Sequence, residues 1–422
     1  MRSLLEGARV VGHGFRALSN RNYRLFWFGQ LVSVAGTWMQ DTALALLVLH
    51  LTNSPLALGL TMTVRFAPAL LFSLFGGVLA DRLPKRATLI GTQSTQLAVA
   101  LALAVLTSTG AITVALIYAL AALRGTVDAV DMPTRQAFTV EMVGTKDLPN
   151  AVALGSMQFN VARIVGPAVA AIVIGTVGTA TCFYLNAASF MAVIGAYSAM
   201  RESQLFPSAR APREGMFRQV RQGLRYAVST PDVFVVLIVM AAIGTFGYNF
   251  QTMLPLLATY VLHSGATGLS VLLASMGIGS VVAGLVVAYR GKATLRLLLV
   301  SATVFTVLLS VVGLSRWQLV TAALVFLMGV CGVLFMTTAN TRLQLVVPDH
   351  MRGRVMGMYA LLFAGTTPIG SALVGTLAEK TGVPAMVMEM AGLCALGILC
   401  GLWYVRRRRN ASLIPSTELA ED

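Results

Sequence analysis

Apolar residues in this chain gather into long runs almost free of charge, and polar residues into short connections between them. A helix needs about 20 apolar residues to cross the hydrocarbon core of a bilayer. Twelve runs meet that length: 23–51, 56–80, 87–107, 112–133, 148–173, 179–200, 233–262, 267–289, 295–313, 318–340, 355–377 and 384–405. Period-two alternation is absent, so each run predicts a helix, which satisfies its own backbone polar groups in lipid, and not a strand of a barrel. The pattern predicts an all-α membrane protein with twelve transmembrane helices.

The connections divide the molecule. The longest, 201–232, lies at the midpoint and separates two six-helix halves, 23–200 and 233–405, leaving an arm at 1–22 and a tail at 406–422. A weak internal similarity supports duplication: Pro133-Thr134-Arg135-Gln136 opens the connection after the fourth run and Asn340-Thr341-Arg342-Leu343-Gln344 that after the tenth. Gly166-Pro167 and Thr367-Pro368 follow in the next runs, as expected of parallel repeats. In the arm, Leu4, Ala8, Val11, Phe15 and Leu18 share one helical face and Arg2, Arg9 and Arg16 another. In the central connection Phe217, Val220 and Leu224 oppose Arg218, Arg221 and Arg225. Both segments are expected to lie as amphipathic helices on the inner leaflet.

Composition narrows the class. With 57% hydrophobic and 11% charged residues, a soluble enzyme domain is excluded. Of 31 Lys and Arg residues, Arg65, Arg124 and Arg163 fall inside runs, and with a cytoplasmic N-terminus only Arg316 and Lys380 fall outside the cell; the remaining 26 are cytoplasmic. That asymmetry orients a multi-pass protein of the bacterial cytoplasmic (inner) membrane with both termini inside. The net charge of +15 then faces anionic lipid headgroups, with no nucleic-acid partner. There is no nucleotide-binding motif, and the four His and four Cys residues have no metal-ligand spacing, so no cofactor and no metal are expected.

Charges inside the runs are costly and functional by default. Asp41 and Arg65 lie at equal depth in adjacent antiparallel helices, where they can pair. Arg124, Asp128, Asp131 and Arg135 recur every three or four residues on one face of the fourth helix. Arg163 is level with Arg124 or Asp128, and the C-terminal half carries only the peripheral Glu389. Asp41, Arg65, Arg124, Asp128, Asp131 and Arg163 therefore form a candidate proton-coupling network, in which a carboxylate exchanges partners as its environment changes. A permanently paired network that only fixes helix packing is the other reading of the same residues.

Gly77-Val78-Leu79-Ala80-Asp81-Arg82-Leu83-Pro84-Lys85-Arg86, between the second and third runs, resembles the loop signature of the major facilitator superfamily, with Pro84 in place of its second Gly. Asn22-Tyr23-Arg24-Leu25-Phe26-Trp27, Gly36-Thr37-Trp38-Met39-Gln40 and Gly223-Leu224-Arg225-Tyr226 are similar to the branch of enterobactin exporters and drug effluxers. Arg163-Ile164-Val165-Gly166-Pro167 resembles the antiporter signature around its Gly-Pro core. The resemblance implies a major facilitator fold, and a conformational role for Gly77, Asp81, Arg82, Lys85 and Arg86 through contacts with the fourth and eleventh helices. It also implies a central cavity lined by the first, fourth, seventh and tenth helices. Candidate substrate contacts there are Tyr248, Asn249 and Gln251 on the seventh, and Thr337, Thr338 and Asn340 on the tenth.

The expected function is proton-coupled export of a small amphiphilic molecule, a drug or a siderophore-like metabolite, by alternating access in a monomer. The alternatives are a facilitator or a proton-coupled importer, and beyond these a channel or a transport-like sensor.

Overall fold

The computed structural model describes residues 15–206, 216–290 and 293–411, with the backbone alone at 73–82, 216–221, 223, 288–290, 349–350, 364 and 405–411. The expected arm helix and most of the tail lie outside the described residues. Among those described there is no β-strand, and eleven helical segments are long and apolar enough to span a bilayer. One of them, Val114–Thr176, is 63 residues long and contains two spans, bringing the number to twelve.

Four helices precede that break or contain it: α1 (Arg21–Thr52), α2 (Pro55–Arg82), α3 (Lys85–Ser108) and α4 (Val114–Thr176). α5 (Thr179–Ser198) completes the first six spans, and α6 (Met216–Ser229) occupies the central connection. α1 ends where Asn53 turns left-handed at φ 48°, and Pro55 opens α2 two residues later. α4 is interrupted at Gly144, whose φ of 70° and ψ of 174° reverse the chain. The expected loop at Pro133 is a correction: residues 133–136 stay helical, because a Pro in a helix facing neighbouring helices only forfeits one hydrogen bond. Residues 340–344 likewise remain inside a helix that runs to Val346.

The seventh span is broken. α7 (Pro231–Ala242) passes into a π-helical turn at Ile243–Gly247, the backbone leaves helix at Tyr248 and Asn249, and α8 (Phe250–Leu256) ends in a second π turn, Leu257–Val261. α9 (Gly265–Arg290), α10 (Leu295–Leu314) and α11 (Gln318–Val346) follow as single helices. The eleventh span is two pieces, α12 (Asp349–Ala364) and α13 (Thr367–Thr381), divided just ahead of Pro368, which has no N–H to donate to the preceding turn and is tolerated in the first turn of α13. α14 (Val383–Ala411) closes the chain.

Packing divides the molecule into two units, Met1–Pro212 with Gln251–Ile278, and Arg213–Phe250 with Gly279–Asp422. In the first, α2 and α1 pack against α4, and α3 and α1 against α5. A cluster of Tyr23, Phe26, Trp27, Leu89, Phe138, Met142 and Tyr197 fills one end. Tyr23 Oη donates to the Ala151 carbonyl (2.8 Å) and Trp27 Nε1 to that of Leu154 (3.1 Å), pinning α1 to the part of α4 beyond Gly144. In the second unit, α10 packs on α11 and α14, and α14 on α7 and α13.

Candidate functional site

The first unit is built around buried charge. Gly125 permits it: a Cβ there would lie 1.9 Å from the Arg65 carbonyl oxygen, so α2 and α4 touch backbone to backbone at the level of the arginines. Asp41 on α1 meets both guanidinium groups. Arg124 Nη1 donates to its Oδ1 at 2.6 Å, and Arg65 Nη1 lies 2.8 Å from the same oxygen. All three residues are at most 8% exposed. The expected pairing of Asp41 with Arg65 is therefore present as half of a three-membered cluster, in which Arg124 holds the better-aligned bond.

One turn further along α4, Asp128 accepts a hydrogen bond from Gln96 Nε2 (2.8 Å) on α3 and stays within electrostatic range of Arg124 and Arg65. Asp131, 1% exposed, accepts from Thr92 Oγ1 (2.6 Å), Gln93 Nε2 (2.9 Å) and Arg135, which also reaches Gln30 Oε1 on α1 at 3.3 Å. Two kinds of carboxylate result: Asp41 and Asp131 each carry an ion pair, whereas the one hydrogen bond found for Asp128 comes from a neutral amide. The α3 partners were not among the sequence candidates. Their signal was present, since Thr92, Gln93 and Gln96 are polar residues at helical spacing in an otherwise apolar run.

Arg163 reaches α9. Its Nη2 donates to the Met276 carbonyl of α9 at 3.1 Å, and the residues around it make the same contact tighter. A Cβ on Gly277 would lie 2.4 Å from Ile164 Cγ1, and Ser270 Oγ donates to the Pro167 carbonyl. A Cβ on Gly166 would lie 2.6 Å from both the Ala35 carbonyl oxygen and Trp38 Cβ, so the Gly-Pro core is wedged between α1 and α9.

Of the loop signature, the side chains of Gly77, Asp81 and Arg82 lie outside the described residues. Lys85 Nζ pairs with Glu141 Oε1 (2.6 Å) on α4, and Arg86 with Glu202 Oε1 (2.7 Å) and with the carbonyls of Tyr197 and Ser198. These bonds tie the start of α3 to α4 and to the end of α5 with the segment that follows it.

Of the candidate substrate residues, Tyr248, Asn249, Thr337, Thr338 and Asn340 fall in the second unit and Gln251 in the first. Tyr248 stacks on Phe305 with ring centroids 5.9 Å apart, meets Phe250 and Phe363 edge-on, and presses its hydroxyl against Gly332 of α11. Asn249 is 2% exposed, its Nδ2 donating to the Thr245 carbonyl (2.6 Å), and Thr338 is 3% exposed; both belong to the helix packing of the second unit. Thr337 and Asn340 are half-buried, Asn340 Oδ1 accepting from Gln344. Gln251 packs with the first unit.

A family profile described as transmembrane secretion effector matches residues 13–422. The chain belongs to that family. It is thus a multi-pass membrane transporter of major facilitator type and not an enzyme. Relatives match along nearly their whole length. The Staphyloferrin A transporter of Staphylococcus aureus is 25% identical over 92% of this chain and 98% of its own. The multidrug efflux pump Tap of Mycolicibacterium fortuitum is 26% identical over 87% and 91%. The enterobactin exporter EntS of Escherichia coli is 23% identical over 94% and 95%. Among solved structures, a POT family transporter in complex with a thioalcohol conjugated peptide superposes with a TM-score of 0.72 at 11% identity, covering 92% of this chain and 96% of that one. The nucleoside transporter NupG gives 0.68 at 11%, covering 91% and 99%. These likenesses concern the fold.

Proposed function

We propose that this transporter exports a small amphiphilic molecule, a drug or a siderophore-like conjugate, from the cytoplasm in exchange for protons, by alternating access between its two six-helix halves. The export direction is supported by the full-length similarity to proteins named as siderophore exporters and drug pumps. Asp128 is the proton carrier. The observation behind that assignment is the contrast in partners: Asp41 is held by two guanidinium groups, whereas Asp128 has a glutamine amide. Loading a proton on Asp128 breaks no ion pair; loading one on Asp41 leaves two buried arginines facing each other. Arg124 is the modulator, in range of both acids, and Asp41 is the alternative carrier. Arg163 acts elsewhere, on the contact with α9. The protein works as a monomer in the bacterial inner membrane with both termini cytoplasmic.

The test uses proteoliposomes loaded with ethidium as a fluorescent amphiphile. An imposed pH gradient is expected to drive ethidium flux against the proton flow, and Asp128→Asn to abolish that drive while retaining ethidium exchange at zero gradient. Flux indifferent to both pH gradient and membrane potential points to a facilitator, and flux in the direction of the protons to an importer; either outcome ends the exporter reading.

A further inference from the structure

One corner of the second unit joins the helix of the central connection to the last helix of the chain. Tyr404 Oη of α14 donates to the Val228 carbonyl of α6 (3.3 Å), and the Tyr404 ring packs on Phe234 of α7 with centroids 4.5 Å apart. α6 also packs on α12 and α7; its Ala227 is buried, whereas Leu224, Arg225 and Val228 are exposed. On α14, Leu396, Leu399 and Trp403 are all exposed and recur at spacings of three and four, which makes one apolar stripe along the helix. A tryptophan at the end of such a stripe sits at the level of the lipid headgroups.

Arginines follow both apolar faces. On α6, Arg218, Arg221 and Arg225 recur at spacings of three and four beside the face of Leu224 and Val228. α14 continues as helix to Ala411, so Arg406, Arg407, Arg408 and Arg409 come within two turns of Trp403. Asp232, the acid in the first turn of α7, is already engaged by Arg342 (2.6 Å). Two adjoining helices thus each carry an apolar stripe and a set of arginines, whose paired N–H donors match phosphate oxygens. Given twice, that combination fits a lipid with two phosphates better than a lipid with one.

We infer that this corner binds a phospholipid with two phosphates, of the diphosphatidylglycerol (cardiolipin) class, one phosphate at the arginines of α6 and the other at those of α14, with acyl chains along the two apolar stripes. The site differs from the general attraction of basic connections to an anionic leaflet in taking one lipid at one place. It is independent of what the protein transports. The experiment titrates the purified full-length protein in detergent with cardiolipin, phosphatidylglycerol, phosphatidylcholine or free pyrophosphate at matched phosphate and follows melting. Cardiolipin is expected to raise the melting temperature saturably by a few degrees and at several-fold less phosphate than phosphatidylglycerol, with phosphatidylcholine and pyrophosphate inert. Arg221→Gln combined with Arg225→Gln is expected to melt like the parent without lipid and to lose most of the cardiolipin response. Equal potency of cardiolipin and phosphatidylglycerol, a pyrophosphate response as large as that of cardiolipin, or a full response in the double variant overturns the inference. Should the double variant fail to fold, native mass spectrometry of the unaltered protein in an equal-phosphate mixture of the three lipids decides: preferential retention of cardiolipin supports the site, and equal retention removes it.

Discussion

At the scale of single residues, the most constrained position described is Gly125, because the atom it would meet is backbone. A side chain whose Cβ lies 1.9 Å from the Arg65 carbonyl cannot be absorbed by a rotamer change; α2 and α4 must separate. Gly125→Ala is therefore expected to cost at least the 1–3 kcal/mol typical of overpacking, about, and to lower the melting temperature in detergent. Gly155→Ala, with nothing within 4 Å of its Cβ, is the control and is expected to melt at or slightly above the parent. The cluster that this contact positions makes a graded prediction. Asp41→Asn strands two buried guanidinium groups and is expected to destabilise by about 3–5 kcal/mol, whereas Arg65→Gln leaves the aligned Asp41–Arg124 pair and should be milder. Thermal melts of the two variants check the order; equal losses contradict the asymmetry between the arginines. The acids and arginines were readable in the sequence because charge in an apolar run stands out. Their partners were only partly so: helical spacing put Asp41 level with Arg65, but nothing local to α1 marks Arg124 as the second partner of that carboxylate, a contact set by how three helices converge.

At the scale of elements, run length and absence of charge made every span legible, since a bilayer demands both. The interruptions were less so. Pro133 looks like a breaker and is tolerated inside α4, while Gly144, inconspicuous in sequence, takes the reversal because its φ of 70° suits a residue without Cβ. The π turns of the seventh span carry no local signature; the first coincides with a place where a neighbour presses against backbone, at Gly370, whose Cβ would lie 2.1 Å from the Thr245 carbonyl oxygen. The Gly-Pro core of the fifth span was visible as a motif, but its partner, α9, was not. That contact is testable by size exchange. Gly277→Ala adds a methyl 2.4 Å from Ile164 Cγ1 and is expected to impair folding and transport together. Adding Ile164→Ala removes the clashing atom and is expected to recover at least half of the loss, a favourable coupling within the 0.5–3 kcal/mol range, about, of residues in contact. Additive losses in the double variant mean that the two helices do not meet through these residues.

For the whole molecule, what remains to be checked is the side of the membrane on which each end of the bundle lies, and here the argument is one of charge. The inner connections and the two ends hold 26 of the 31 basic residues if the N-terminus is cytoplasmic, and the opposite orientation puts those same 26 outside, against the rule that cationic connections stay in. The turns on the proposed outer side carry little charge: only Asn53 and Ser54 separate α1 from α2, and Arg316 is the one Lys or Arg in the turn between α10 and α11. On the proposed inner side the start of α3 is tied by the ion pairs of Lys85 with Glu141 and Arg86 with Glu202, so these basic residues serve packing as well. A reporter active only in the periplasm, fused after Thr52, follows one span from a cytoplasmic arm and is expected to be active. A reporter active only in the cytoplasm, fused after Arg409, follows an even number of spans and is expected to be active as well. Activity at Thr52 with silence at Arg409 implies an odd number of crossings and removes one of the twelve spans. Silence at both positions inverts the molecule in the membrane, and with it the direction in which a proton entering at Asp128 has to move.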